Sequence, residues 1–305
     1  MGSVNDFVDS YLTTCQKQDI PEVQAVIEIL RAEARNVWTS TFQEALVDLE
    51  EQLDTVDNVA SEAQGDELLL SAVFQTFANL ARRATLRSGL QTVSARRLYN
   101  LGSRLSGGAE IDFSRPRAAG FLQAANTDLD FWLSRRVHER REDVLDALRE
   151  YRALPDRRAL AEALRAIIGD ESGAYALIVV DTWAYRKVNE GAVIAADQEA
   201  NVSELVAINN PPTGPDKRTT PFCRNIHNTA IRTEVLLAQI AAYYEAVEEE
   251  DVEAAKEMWP LLEREEATLL GGVTVEQVIN DRGLGVPPYH FFCRTVLQRV
   301  RRDGA

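Results

Sequence analysis

Two short segments in the last third of the chain hold most of its cysteine and histidine. The first contains Cys223 and His227 as Cys-x-x-x-His, and the second contains His290 and Cys293 as His-x-x-Cys. The whole sequence of 305 residues has only three Cys and three His, so random scatter would rarely produce this grouping. Both segments follow prolines, and in both an Arg comes directly after the Cys. We therefore expect the fold to bring the two segments together as halves of one site.

Thiolate and neutral imidazole are ligands of tetrahedral zinc, and the two segments offer two of each. Because Cys223 and His227 are four residues apart, one helical turn would place both side chains on the same face. His290 and Cys293 would reach the ion from the beginning of a strand. Four protein ligands would fill the coordination sphere and leave no position for water. The pattern therefore predicts a structural zinc ion.

Two other interpretations of these residues remain open. The cysteines can be buried apolar thiols, with both histidines hydrogen-bonded to the backbone. A Cys–His pair can also act as nucleophile and general base. No glycines suited to an oxyanion hole and no third orienting group stand out near either segment, so the sequence offers no convincing catalytic constellation.

Composition excludes several classes of function. With 48 acidic and 33 basic residues, the formal charge is −15, which argues against a chain-wide attraction to nucleic acid or anionic membranes. The longest apolar run, Ala174–Val180, is far too short to span a bilayer. We expect no secretion signal, because Asp6 and Asp9 interrupt the N-terminal apolar residues. Three Cys cannot all pair, which favours a reducing compartment over a disulfide framework.

Hydrophobic periodicity predicts helix after helix in the first half of the chain. Apolar residues recurring at three- and four-residue steps predict one long helix from Val23 to Leu53. Further helices are predicted over residues 69–84, 93–105, 129–151 and 155–169. A loop is expected at 110–117, and the cluster Asn126-Thr127-Asp128 is typical of a helix N-cap.

The character of the sequence changes after residue 170. A helix over 174–200 carries an acid and a hydroxyl, Asp181 and Thr182, inside an apolar stretch. Strands are predicted at 203–209 and 291–300, with helices between them at 231–248 and 252–264 and a capping box at Thr274-x-x-Gln277. The two strands should be neighbours, because the first ends at one Cys/His segment and the second starts at the other.

These elements predict an α+β fold that is predominantly α. We expect a helical domain over residues 1–170 and a small α/β domain over 171–305, whose short sheet forms only from residues after 200. Helices within 231–265 would be an insertion in the second domain.

The order of motifs in the second half resembles a known family. A helix that contains Asp181-Thr182, and then a strand, precede the motif Asp-x-Arg-Thr-x-Pro-x-Cys-Arg at 216–224. After a variable middle region, the motif Pro-Pro-x-His-x-x-Cys-Arg follows at 287–294. This is similar to the C-terminal domain of phage Mu F-like minor head proteins, the phage head morphogenesis family. The similarity covers about residues 170–300. Apart from the four Cys and His, the motif residues are Asp181, Asp216, Arg218, Thr219, Pro221, Arg224, Pro288 and Arg294.

Most of these motif residues have a structural interpretation. Asp216 and Arg218 can form a local ion pair that fixes the loop before Pro221. Arg218 and Arg294 can equally hydrogen-bond sheet-edge carbonyls or Asp181. We favour such structural roles over contact with DNA.

The chain also departs from the family pattern. Asp181-Thr182 stands where members commonly have Thr-Glu, and the middle is longer by two helices. His227-Asn228 stands where the family has Asp-Gly or His-Gly. Asn can adopt the left-handed backbone conformation that glycine would supply there.

The resemblance implies a phage or prophage-derived minor head protein, and the lack of a convincing catalytic constellation argues against an enzyme. Such a protein would reside in the virion, and in the bacterial cytoplasm before assembly. It would associate with the portal or other capsid proteins and assist head assembly, DNA packaging or genome delivery. We expect contact with packaged DNA only in the assembled particle, and no membrane partner. The alternatives are a hydrolase or nuclease at the Cys/His site, and a helical cytosolic adaptor.

Overall fold

The fold comes from a computed structural model with side chains. It describes residues 20–56, 71, 75–76, 89–153, 162–163, 166, 170–209, 211, 213–217, 219–259, 274–282, 285–290 and 293–299. The helices predicted over 69–84 and 155–169 lie almost wholly outside the described residues.

The described residues form a predominantly helical fold with one small sheet, as predicted. The helices are α1 (Pro21–Val56), α2 (Leu90–Leu105), α3 (Pro116–Ala153), α4 (Asp170–Asp197), α5 (Pro221–Ile226), α6 (Thr233–Glu248), α7 (Val252–Met258) and α8 (Val275–Arg282). The strands are β1 (Glu204–Asn209), β2 (Thr229–Arg232) and β3 (Thr295–Arg299). Among the helices of these residues, none is long and apolar enough to cross a membrane.

Most predicted helix boundaries agree with the structure, and one prediction is wrong. The predicted N-cap at Asn126–Asp128 lies inside α3, which already begins at Pro116. Proline suits the first turn of a helix, where its missing N–H costs nothing. Asp128 is completely buried in α3, so this carboxylate has tertiary partners instead of a capping role. The capping box before α8 is confirmed, because Gln277 N donates to Thr274 Oγ1 at 3.3 Å and Thr274 N donates to Gln277 Oε1 at 3.2 Å.

The sheet has the order β2-β1-β3 and both pairings are antiparallel. Leu205 of β1 lies opposite Ile231 of β2, and Asn209 of β1 lies opposite Thr295 of β3. The prediction that the strands flanking the two Cys/His segments are neighbours is therefore confirmed. Strand β2 was not predicted, since of its four residues only Ile231 is buried and the apolar alternation is too short to detect.

The chain divides into two compact units, and neither follows the predicted boundary at residue 170. One unit comprises Asp19–Glu28, Ser88–Leu129 and Val180–Ala305; we call it the sheet unit. The other comprises Met1–Gln18, Ile29–Arg87 and Asp130–Val179. The physical reason for the difference is that α2, from the first half of the sequence, packs directly on the second half of α4. Their backbones approach closely at Gly102 and Gly191.

A buried amide on α4 fixes β3 in the sheet unit. The Asn189 side chain donates from Nδ2 to the Thr295 carbonyl at 3.2 Å and accepts from the Leu297 N–H at 2.8 Å. The Arg299 N–H donates to the Ser106 carbonyl at 3.2 Å. These bonds satisfy backbone groups on the edge of β3 that faces away from β1. The start of β3, next to the second Cys/His segment, is thereby held at a defined position.

Candidate metal centre

The first Cys/His segment places its cysteine in the opening turn of α5. Thr220 is the N-cap, and its side chain accepts a hydrogen bond from the Cys223 N–H at 3.3 Å. Pro221 occupies the first helical position, where its fixed φ favours the start of a helix. Cys223 points inward and is 1% exposed. The Thr-Pro pair thus sets both the start of the helix and the direction of the thiol.

The second segment turns back on itself just before β3. The Cys293 N–H donates to the His290 carbonyl at 3.1 Å, and Cys293 is buried. The Pro287–Pro288 peptide is cis, and Pro288 is buried. The ring of Tyr289 packs edge-on against Phe222 of α5, with ring centroids 5.2 Å apart. Packing of these two aromatic rings holds the second segment against α5.

Three of the four predicted ligands meet. The Cys223 Sγ lies 3.2 Å from His290 Nε2 and 3.9 Å from Cys293 Sγ. All three ligand atoms lie within 4.8 Å of one another. In tetrahedral zinc, bond lengths near 2.3 Å to sulfur and 2.0 Å to nitrogen separate two sulfurs by roughly 3.8 Å and sulfur from nitrogen by roughly 3.5 Å. The two distances from Cys223 Sγ are therefore close to those of such a tetrahedron, and the group can hold a single metal ion.

His227 does not join this group. Helix α5 ends at Ile226, and His227 has an extended backbone with φ −60° and ψ 129°. The helical turn that would have placed His227 beside Cys223 is therefore incomplete. Instead, His227 Nδ1 accepts a hydrogen bond from the Asn209 N–H at 3.1 Å. Asn228 follows with φ 68°, which confirms its predicted left-handed conformation.

Polar bonds also join the two segments beside the thiols. Arg294 Nη2 lies 3.5 Å from Asp216 Oδ2, so an ion pair connects the first motif to the second. Arg224 donates from Nε to the Thr219 carbonyl at 3.1 Å and from Nη2 to the Asp216 carbonyl, which fixes the loop before α5. The structural interpretation of Asp216 and Arg224 is supported by these contacts. Arg218 lies outside the described residues, and Asp181 is buried in α4.

Threonine and asparagine side chains form the surroundings of the group. Thr219 Oγ1 donates to Asn209 Oδ1 at 3.2 Å, and Asn209 Nδ2 donates to Thr295 Oγ1 at 3.0 Å. Thr295 Oγ1 lies 3.4 Å from Cys293 Sγ, and Thr220 Oγ1 lies 3.4 Å from His290 Nε2. These bonds connect the end of β1 and the start of β3 to the ligand residues, and they help to orient the ligand side chains.

The two thiols are not electrostatically equivalent. The pKa of Cys223 is raised mainly by its hydrogen bond with Cys293, and burial raises this pKa further. Burial also opposes ionisation of Cys293, but hydrogen bonding from Cys223 and the charge of His290 outweigh burial and lower its pKa. Of the two thiols, Cys293 is therefore the more readily ionised, with Cys223 as its hydrogen-bond partner. A bound cation would favour ionisation of both sulfurs.

A second polar cluster, which the sequence did not reveal, lies in the core of the sheet unit. We call Asp128, Arg186, Lys187 and Glu190 the buried quartet; each is at most 2% exposed. Lys187 Nζ lies 2.6 Å from Asp128 Oδ2 and 2.8 Å from Glu190 Oε1. Arg186 Nη1 lies 3.3 Å from Asp128 Oδ1. With two positive and two negative side chains, the quartet is formally neutral.

Aromatic residues surround the buried quartet. Tyr99 and Tyr244 each donate to Glu190 Oε2 at 2.7 Å, and Tyr243 donates to Asp128. The Arg186 guanidinium lies 4.6 Å from the ring centroid of Tyr243 and 4.5 Å from that of Trp259. Cations packed against aromatic faces are stabilised further when water is excluded. Of these four aromatic residues, Tyr243 and Tyr244 lie on α6 and Trp259 directly follows α7.

The quartet gives a prediction about pH. Although burial opposes ionisation, the charges of Lys187 and Arg186 hold the pKa of Asp128 below its ordinary value. A depressed folded-state pKa contributes stability above the unfolded pKa of about 3.9, which is lost as pH falls through the folded value. Wild type should therefore be more stable than Asp128→Asn at pH 7, and the difference in melting temperature should shrink below about pH 4. Equal differences at pH 7 and pH 3 would contradict this role of Asp128.

Comparison of the chain with protein-family models, curated proteins and solved structures finds no match. The fold and the site define a predominantly helical protein with a three-stranded antiparallel sheet and a Cys2His group between α5 and the turn before β3.

Proposed function

We propose that this chain is a minor head protein of a phage or prophage, whose sheet unit is held together by a structural zinc ion at Cys223, His290 and Cys293. One observation carries the proposal: two motifs that resemble the head morphogenesis family, separated along the chain, contribute ligand atoms that lie within 4.8 Å of one another. In this role the protein associates with the portal or other capsid proteins and assists head assembly, DNA packaging or genome delivery.

Zinc suits this donor set better than other common metals. Thiolate sulfur selects zinc, copper(I) and iron–sulfur chemistry, whereas oxygen ligands select magnesium, calcium and manganese. Two thiolates and one neutral imidazole give a neutral complex with Zn²⁺, which matches a buried site. The fourth coordination position is then taken by water or by a group from a partner protein.

A structural role is favoured over hydrolysis. Both cysteines are at most 2% exposed, and among the described residues no Asp or Glu joins the group. Hydrolytic zinc sites need substrate access and a general base within hydrogen-bond reach of the zinc-bound water. The hydrolase or nuclease alternative therefore lacks support in the geometry of this site.

Measurement of the zinc content distinguishes the role of His290 from that of His227. His290→Ala should abolish stoichiometric zinc and lower the melting temperature by several degrees, because metal binding is coupled to folding. The matched variant His227→Ala should keep about one zinc per chain. His227 accepts a hydrogen bond from the Asn209 N–H and does not belong to the group of Cys223, His290 and Cys293. Elemental analysis and thermal melting of both purified variants provide the measurements.

Wild-type protein prepared without chelator should contain zinc, and a strong chelator should lower its melting temperature. If the protein contains no zinc and chelator leaves its melting unchanged, the three side chains are a packed core feature.

The virion role is tested separately, in particles. Mass spectrometry of purified particles from the phage or induced prophage that encodes this chain should detect it together with portal protein. A portal gene directly upstream would support the same role. Because the formal charge is −15, the isolated protein should not bind duplex DNA tightly at physiological salt in a gel-shift assay. Absence from purified particles would overturn the head-protein proposal.

A further inference from the structure

The two buried thiols are close enough for covalent chemistry with each other. Cys223 Sγ and Cys293 Sγ are 3.9 Å apart, and both cysteines are free. A disulfide has an S–S length of about 2.05 Å, so the sulfur atoms would need to approach by roughly 1.9 Å. Cys223 lies in the first turn of α5 and Cys293 lies in the turn before β3. A bond between them would join the same two segments that a metal ion would join.

We propose that Cys223 and Cys293 form a reversible disulfide when the metal is absent or displaced, so that the site has a reduced, metal-binding form and an oxidised, covalent form. The inference deepens the proposed function and rests on it for the metal. A two-electron oxidant of the peroxide class supplies the chemistry. In the metal-free protein, two thiols and one H₂O₂ give one S–S bond and two water molecules.

The reaction also balances for the zinc-bound site. Two zinc-bound thiolates, one H₂O₂ and two protons give one disulfide, two water molecules and free Zn²⁺. Sulfur is oxidised, and the peroxide oxygens are reduced. Metal release and disulfide formation are therefore the same event. A thiol reductant returns the two electrons and restores the metal-binding form.

The geometry also determines which oxidant can react. Both thiols are almost completely buried, and thiol reactivity depends on access as well as on ionisation. Hydrogen peroxide is small enough to reach them during local opening, whereas oxidised glutathione is a bulky tripeptide disulfide. Peroxide should therefore form the cross-link much faster than oxidised glutathione does.

The test uses the full chain with Cys15→Ser, which leaves only the two cysteines of the site. After loading with zinc and treatment with a slight excess of H₂O₂, both thiols should disappear in a denaturing thiol assay. One zinc ion should be released for each disulfide formed, as measured with a chromogenic chelator. Intact mass should fall by two hydrogens, and dithiothreitol should restore both the thiols and zinc binding.

Peptide mapping of oxidised wild-type protein keeps the inference testable if the variant folds poorly. Under non-reducing digestion, the peptide that contains Cys223 should be linked to the peptide that contains Cys293. Cys293→Ser in the Cys15→Ser background provides the control, since it should give no internal cross-link.

The outcomes separate this inference from the zinc proposal. A cross-link that forms in a protein without any zinc would support the redox pair and count against the metal site. Zinc binding with sulfinic or sulfonic acids on the cysteines, and no cross-link, would overturn the redox inference and leave the metal site standing. Links between different chains would also overturn it.

Discussion

Lys187→Met should lower the free energy of unfolding by about 3–5 kcal/mol, the usual cost of removing one partner from a buried charge pair. Lys187 Nζ is completely buried and lies 2.6 Å from Asp128 and 2.8 Å from Glu190. Its removal leaves Glu190 with tyrosine donors alone and Asp128 with Arg186 and Tyr243. The melting temperature should fall by about 10 °C for a protein of this size. Thermal and urea unfolding provide the measurements.

Lys256→Met is the matched control for this experiment. Lys256 also forms an i,i+3 ion pair, with Glu253 at 2.9 Å, but the two side chains are 43% and 77% exposed. Exposed pairs of this kind contribute about 0–1 kcal/mol, since water and salt screen them. Equal losses in the two variants would show that the buried quartet has no special energetic role.

Gly191→Ala should be the second strongly destabilising change. A Cβ on Gly191 would lie 2.2 Å from the Tyr99 carbonyl oxygen, and one on Gly102 would lie 1.8 Å from the Val188 carbonyl oxygen. Both obstacles are backbone atoms, so rotation of a side chain cannot relieve the overlap, and α2 must separate from α4. We expect a loss of about 3 kcal/mol or more for either substitution.

Gly120→Ala tests whether the effect comes from packing and not from loss of glycine itself. Gly120 lies inside α3, and a Cβ there would have no atom within 4 Å. Alanine is favoured over glycine inside a helix by about 1 kcal/mol, so this variant should be slightly more stable than wild type. Destabilisation of Gly120→Ala equal to that of Gly191→Ala would contradict the close helix contact.

The meeting of the two Cys/His segments could be predicted because their chemistry is rare in this sequence. Cys223, His290 and Cys293 do come together, and β1 does pair with β3. The position of His227 could not be predicted from spacing alone, because the result depends on where a six-residue helix ends. The one available signal was Asn228, whose tendency toward a left-handed backbone indicated that the helix would stop beside it.

The buried quartet was missed for a different reason. Arg186, Lys187 and Glu190 are charged residues that lie between apolar stretches of α4, and this placement was a signal in the sequence. Their partners come from α3 and α6, far away along the chain. The hydrophobic periodicity of the sequence does not predict pairings between residues that are far apart along the chain. Asp128 was also assigned to a helix cap, because an Asn-Thr-Asp cluster has that local preference and tertiary contacts override it.

The position of α6 and α7 around the quartet has a consequence for related chains. Tyr243 and Tyr244 of α6, with Trp259 after α7, contact the charged side chains of α4. In a homologue without these two helices, the cations Arg186 and Lys187 would be exposed or left without partners. Such a homologue should therefore have apolar residues at these two positions. We therefore expect the helices and the charges to be gained or lost together in evolution. Deleting residues 233–259 from this chain alone should then prevent folding of the sheet unit.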